Sequence, residues 1–273
     1  MVRVYKPNEN CNEVNIEEQG FAAGGVGGTD AARQEIPHMG LLGYGADIRT
    51  ADWLCGGTVI SERFILTAGH CLSSPSLGPV KYVTLGILKR TDPSQLWQTY
   101  NVKRRIPHPE YRPPSKYHDI ALLETDTEIT FSSQVLPACL HATGEAEHTL
   151  FALGWGALGH RKELADTLQE VEVSRYGEEE CSKYYPPHRH LKNGYNQTTQ
   201  MCYGDKQVLR DTCEGDSGGP LQDFRNNYVK NIHCIKTVVG VTSYGRPCGV
   251  AHSPGIYTRV ISYVPWIESV VWP

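Results

Sequence analysis

The sequence predicts an all-β protein of the sandwich or barrel kind, and three observations carry that expectation. Its 273 residues include 27 glycines and 17 prolines. The glycine share of roughly a tenth exceeds the usual ~7% and favours many turns over long helices. Short runs of alternating or β-branched residues recur along the chain, and turn residues separate them at the spacing typical of sandwiches and barrels.

Taken in order, strands are expected in CGGTVIS from Cys55, RFILTA from Arg63, KYVTLGI from Lys81 and DIALLET from Asp119. Further strands are expected in HTLFALGWG from His148, TLQEVEVSR from Thr167 and KTVVGVTSYG from Lys236. The C-terminal SYVPWIESVVW is the helical candidate, because Tyr263, Trp266, Ile267 and Val270 recur at a spacing that makes one apolar face, suited to docking on a barrel. Residues 88–100, the stretch between Cys181 and Cys202, and residues 222–233 are polar and read as surface loops of the kind that carry specificity.

Composition removes several functional classes. A net charge of −4 leaves no electrostatic footprint for nucleic acid and no polybasic segment for anionic lipid. No stretch approaches the ~18 consecutive apolar residues of a membrane helix. The N-terminus lacks the apolar run of a signal peptide, so the chain is expected to be a piece of a longer precursor or not to be exported by that route. None of the nine cysteines forms a Cys-x-x-Cys pair, which removes zinc ribbons and thioredoxin-type redox sites. His188 and His190 near Cys181 match no standard metal spacing, and residues 81–96 offer only Asp92 as an acidic calcium ligand, so no metal or cofactor is expected. Asn196-Gln197-Thr198 is a glycosylation sequon, meaningful only in a secretory pathway.

Three segments carry the chemistry. Leu66-Thr67-Ala68-Gly69-His70-Cys71 sets a histidine beside a cysteine at the end of a β run, and Tyr117-His118-Asp119-Ile120-Ala121-Leu122-Leu123 sets an aspartate at the head of an apolar strand. Asp211-Thr212-Cys213-Glu214-Gly215-Asp216-Ser217-Gly218-Gly219-Pro220 places a serine in a glycine-rich turn. A hydroxyl is a poor nucleophile at neutral pH unless a base takes its proton, and an imidazole serves as that base when a buried carboxylate fixes its tautomer. The glycines around Ser217 allow a tight turn in which the amides of Gly215 and Ser217 can converge on a developing oxyanion. Each segment alone also has a bland reading: a half-buried histidine, a strand-capping aspartate, an ordinary loop. Their chain order and full contexts favour catalysis.

Together, Leu-Thr-Ala-Gly-His-Cys, His-Asp-Ile-Ala-Leu-Leu and Gly-Asp-Ser-Gly-Gly-Pro resemble the trypsin and chymotrypsin family of serine peptidases. The likeness runs from about Val26 to the C-terminus and includes Cys55-Gly56-Gly57, Gly154-Trp155-Gly156, Ser243-Tyr244-Gly245 and Pro254-Gly255-Ile256-Tyr257. Ile36-Pro37-His38-Met39 and Pro137-Ala138-Cys139-Leu140 look most like the catalytic chains of arthropod clip-domain proteases of the Snake type. The resemblance implies two packed six-stranded antiparallel β-barrels with a C-terminal helix, in a peptidase domain over 25–273 that follows an N-terminal light-chain or propeptide remnant over 1–24.

It also implies roles. His70 would be the general base, Asp119 its orienting partner, Ser217 the nucleophile, and Gly215 with Ser217 the oxyanion donors. Asp211 would lie at the base of the specificity pocket, with Gly245 and Gly255 keeping its walls open, so the substrate should present Arg or Lys before the scissile bond. Backbone groups from Ser243 to Gly245 would pair with the substrate as an added strand. The family pattern would join Cys55 with Cys71, Cys181 with Cys202, Cys213 with Cys248 and Cys11 with Cys139, leaving Cys234 over.

Family zymogens are cut before an Ile-Val-Gly-Gly segment, and the new amino group then pairs with the aspartate before the serine, here Asp216. This chain has Gly25 where the isoleucine is expected and Gly24 before the cut. A glycine lacks the buried side chain that would contribute roughly 1.5 to 3 kcal/mol. The leading expectation is a secreted, extracellular, monomeric endopeptidase zymogen acting on protein substrates, with an upstream activating protease and macromolecular inhibitors as further partners. The alternative is a catalytically impaired homologue acting as a binding or regulatory cofactor.

Overall fold

Alternation of apolar and polar side chains, broken by glycine and proline, gives a framework of mainly antiparallel strands joined by turns and loops, as a computed structural model of residues 28–157, 163–205, 215–223, 236–245 and 253–273 describes. The strands are β1 (Thr29–Asp30), β2 (Met39–Tyr44), β3 (Asp52–Val59), β4 (Phe64–Thr67), β5 (Ser73–Ser74), β6 (Gly78–Leu85), β7 (Gln98–Pro107) and β8 (Ala121–Thr125). After them come β9 (Cys139–Leu140), β10 (Thr149–Gly154), β11 (Gln169–Arg175), β12 (Gln200–Gly204), β13 (Pro220–Asp223), β14 (Thr237–Tyr244) and β15 (Gly255–Arg259). A short helix α1 (Glu178–Tyr184) precedes β12, and α2 (Val264–Val271) follows β15.

Two closed barrels result. The first runs β2-β3-β4-β8-β7-β6 and closes by pairing of β6 with β2, with β5 appended. The second runs β11-β10-β13-β14-β15-β12 and closes by pairing of β12 with β11, with β1 and β9 appended. Each is six-stranded and antiparallel, as the family likeness implies. Closure satisfies the edge N–H and C=O groups that an open sheet would leave exposed.

Each barrel encloses its own core. Leu42, Val59, Ile65, Leu66, Val83 and Leu122 fill the first, and Leu150, Val173, Met201, Leu221 and Tyr257 fill the second. Helix α2 buries Val264 and Ile267 in the first core, with Trp266 and Val270 packed at its margin, so the expected apolar face docks on that barrel. The seven expected strands all form, with ends within a few residues of the expected ones. The polar stretches take up regular structure at their ends, and residues 224–233 of the third lie outside the described residues. Strand β7 begins at Gln98, α1 occupies the start of the segment after Glu178, and Gln222, expected in a loop, lies in β13 with no solvent exposure. Side-chain polarity misled there, because a buried hydrogen-bond partner compensates for it.

That partner is His38, whose Nε2 lies 2.8 Å from Gln222 Oε1. Burial, outweighing the Gln222 bond and assisted by the Lys236 charge, drives the His38 pKa down to about 4. Lys236 also faces Glu170, whose pKa is pushed up to about 7, first by burial and then by Glu35, against the pull of Lys236. The two residues act oppositely on stability. Between pH 6.5 and 4 the unfolded state protonates His38 while the folded state does not, so stability falls as pH falls. Between pH 4.5 and 7 the folded state holds the Glu170 proton and the unfolded state does not, so stability falls as pH rises. Each full shift amounts to about 3 kcal/mol. Glu170→Gln should therefore raise stability near pH 7 and leave the His38 slope unopposed, with a urea midpoint that drops more steeply from pH 6.5 to 4 than in the parent chain. Urea titrations across that range check this, and parallel slopes for the two proteins would contradict it.

Candidate active site

His70 and Asp119 reach one another from opposite ends of the β4–β8 pair. Thr67 in β4 is registered against Ala121 in β8, so the residue after β4 and the residue before β8 emerge side by side. The chain turns in one 3-10 turn at Gly69–Leu72, which carries His70, and the Cys55–Cys71 disulfide fastens that turn to β3. Gly69 is required at this bend because a Cβ there would stand 2.8 Å from the Tyr111 ring.

The Asp119 side chain is 3% exposed and uses both oxygens. Oδ1 accepts the backbone N–H of His70 at 2.8 Å, and Oδ2 lies 2.8 Å from His70 Nδ1. Oδ2 also accepts the Ser243 hydroxyl at 2.5 Å, while the Asp119 carbonyl accepts the Thr258 hydroxyl at 2.8 Å. Burial alone would push this carboxyl up. The His70 charge and the hydrogen bonds from His70 and Ser243 outweigh it and hold the carboxyl below its ordinary range. Asp119 is thus an anion at neutral pH, and it fixes a proton on Nδ1 so that Nε2 carries the lone pair. The His70 side chain is 32% exposed, which leaves that nitrogen able to meet a substrate.

Ser217 occupies a turn clamped between the barrels. Its carbonyl accepts the Gly56 N–H from β3 at 2.7 Å, and the next amide, Gly218, donates to Thr242 in β14 at 2.8 Å. The turn closes on itself through Gly219 N–H to Asp216 C=O at 3.0 Å. Gly215 and Gly218 have φ of 103° and 77°, in the left-handed region open to glycine. At Gly218 any Cβ would also stand 2.6 Å from the Gly56 carbonyl. Asp216, buried, accepts the Gly156 N–H at 2.8 Å, and only the absence of side chains at Gly154 and Gly156 leaves room for its carboxylate. Trp155 between them is anchored by its indole N–H on the Leu88 carbonyl at 2.9 Å.

Of the residues singled out in the sequence, His70 and Asp119 are in direct contact, and Gly215, Asp216 and Ser217 share one turn. Gly245 and Gly255 face each other, a Cβ on Gly245 standing 3.8 Å from Gly255 Cα. The Cys55–Cys71 and Cys181–Cys202 bonds are present, and Cys139 is a half-cystine whose partner lies outside the described residues. Cys11, Gly25, Asp211, Cys213, Cys234 and Cys248 also lie outside them. Asn196 is exposed in a turn where its side-chain oxygen accepts the Thr198 N–H at 3.0 Å.

Sequence reasoning missed the hydroxyls of Ser243 and Thr258. Ser243 was expected to act through its backbone alone. The β14–β15 register slips between Thr242 and Tyr244, and a slip of this kind re-aims the intervening side chain, here inward onto Asp119. Nothing local in the sequence signals that slip.

The chain matches the Trypsin family over residues 25–267. It is 37% identical over 252 residues to Serine protease snk of Drosophila melanogaster, covering 90% of this chain and 57% of that protein. It is 32% identical over 245 residues to Coagulation factor XI of Bos taurus, covering 89% of this chain and 37% of that protein, so it spans about half the length of such relatives. Among solved structures, neuropsin, a serine protease expressed in the limbic system of mouse brain, superposes with a TM-score of 0.72 at 27% identity, over 89% of this chain and 98% of neuropsin. A buried aspartate holding a histidine, a serine turn clamped between two six-stranded barrels and this match across nearly the whole chain lead to one conclusion: the chain belongs to the trypsin family of serine proteases.

Proposed function

We propose that this chain is a serine endopeptidase in which Ser217 is the nucleophile, His70 the general base and Asp119 its orienting anion. The observation that carries the reading is the double hold of Asp119 on His70, which leaves Nε2 as the base on a partly exposed ring. Ser217 Oγ attacks the scissile carbonyl as Nε2 takes its proton. The backbone N–H groups of Gly215 and Ser217 receive the oxyanion, and Nε2 returns the proton to the departing amine. Water then attacks the acyl-enzyme by the same route, regenerating the serine.

Asp211 supplies the specificity. A carboxylate at the base of a dry pocket pairs with a cationic side chain, and the opposed backbones of Gly245 and Gly255 are consistent with an unobstructed wall for Arg or Lys. Residues 1–24 form an N-terminal remnant tethered by Cys11 to Cys139, and the peptidase domain begins at Gly25. Cleavage before Gly25 frees an amino group for Asp216. The chain is secreted and glycosylated on Asn196, and it acts on protein substrates in an extracellular cascade under an activating protease and macromolecular inhibitors. The similarity to a coagulation factor supports that setting.

Ser217→Ala should lower turnover of an arginine amide by roughly 10⁶-fold with the fold intact. Labelling by a fluorophosphonate that persisted in this variant would refute the assignment. Replacing Ser243 by alanine removes a hydrogen bond to a buried anion, of the class that contributes about 1.5 to 3 kcal/mol. The expected result is a kcat lower by roughly 10- to 100-fold at nearly constant KM, read from steady-state kinetics. Asp211→Ser leaves a substrate guanidinium without a partner, at a cost of roughly 2 to 5 kcal/mol. Cleavage after Arg and Lys should fall by at least tenfold relative to cleavage after uncharged residues, and a parent enzyme that prefers Phe or Leu amides would overturn the pocket reading.

A further inference from the structure

The register that joins His70 to Asp119 also assembles a second group of ligating side chains on the other side of the aspartate. Strand β7 ends at Pro107, registered against Ala121 at the start of β8. His108 continues that pairing by donating its N–H to the Ile120 carbonyl at 3.0 Å, and its ring stacks on His118, so the turn after β7 meets the segment on either side of Asp119. The side chains of His108, Glu110 and His118 there each offer a ligand atom, and these atoms all lie within 4.8 Å of one another.

From this cluster we propose a binding site for a divalent transition-metal ion of the zinc type, held by His108, Glu110 and His118. Two imidazoles and one carboxylate form a three-protein-ligand set for zinc, which leaves a fourth position open. Donors around tetrahedral zinc stand about 3.4 Å apart, given metal–ligand bonds of about 2.0 to 2.2 Å. Closing from the present spacing needs movements of about an ångström, and the exposed Glu110 side chain is free to supply much of that.

The surrounding contacts suit the role. His118 Nδ1 lies 3.1 Å from the Tyr263 hydroxyl, which fixes the ring from behind and leaves Nε2 for a metal, the outer-shell arrangement that tunes histidine ligands. The His108 and His118 rings stack at 5.4 Å, and His108 is braced edge-on by Tyr263 at 4.9 Å and Trp266 at 5.0 Å. To present a lone pair, His108 gives up only a long contact, the Glu110 N–H to its Nδ1 at 3.2 Å. The other clustered set among the described residues, Cys55, His70 and Cys71, has both sulfurs in a disulfide and cannot act as a thiolate site.

Occupancy of this site would reach Asp119 through the backbone. His118 has φ 54° and closes a tight turn by accepting the Ile120 N–H at 2.8 Å, so a shift of His118 is transmitted to the intervening Asp119. The metal should therefore act as a reversible inhibitor that lowers kcat, a consequence that rests on Asp119 orienting His70.

The test uses the full-length chain carrying Ser217→Ala, so that binding is read without turnover or autolysis. Calorimetric titration with Zn²⁺ and the visible ligand-field spectrum of bound Co²⁺ should give one ion per chain. Affinity should drop at least tenfold in His118→Asn, a residue that tolerates the left-handed backbone, and likewise in the exposed Glu110→Gln. His190→Gln should bind as before, since it tests the competing surface pair His188 and His190. In the active enzyme, Zn²⁺ inhibition should weaken in parallel in His118→Asn and Glu110→Gln. Absence of binding, parent-like binding in either site variant, or loss of binding in His190→Gln would each overturn the site. If binding follows the prediction and inhibition persists unchanged in both site variants, the coupling to Asp119 is overturned while the site stands.

Discussion

A single buried charge organises this molecule. Asp119 leaves the first barrel at the head of β8 and receives hydroxyl hydrogen bonds from Ser243 in β14 and Thr258 in β15 of the second. An isolated carboxylate in such a place would be forced to protonate. Every contact that keeps it ionised is therefore also a contact that joins the barrels or fixes the histidine. Relative placement of the two barrels and the tautomer of His70 thus depend on one group, and a disturbance of either reaches the other.

The serine turn meets the complementary constraint of space. Its backbone is held by Gly56 on one barrel and Thr242 on the other, at separations that exclude a side chain at Gly218. Gly154 and Gly156 likewise exist to admit the Asp216 carboxylate. Glycine here is a requirement of close packing between backbones, which explains why short glycine motifs far apart in sequence lie within one small volume.

The same pairing of β4, β8 and β7 has a second consequence. The turn after β7 carries His108 and Glu110 and leads back to His118, so the strand pairing that sets His70 beside Asp119 also gathers the proposed metal ligands next to that aspartate. Neither His108 nor Glu110 stood out in the sequence, since ligands brought together by sheet register leave no short spacing to read.

Much was determined by the sequence itself. Local alternation and turn residues are properties of neighbouring positions, so β3, β4, β6, β8, β10, β11 and β14 were legible, as was the apolar face of α2. Motifs with strict local requirements, such as the glycines flanking Ser217 and the cysteine beside His70, identified the chemistry without coordinates. The inward turn of the Ser243 hydroxyl, the burial of Gln222 against His38 and the meeting of His108 with His118 were decided only in the tertiary structure. Each depends on a register slip or a strand pairing between segments distant in the chain. A one-residue change of register sends a side chain to the opposite face, and that choice is made by long-range packing that no local pattern encodes.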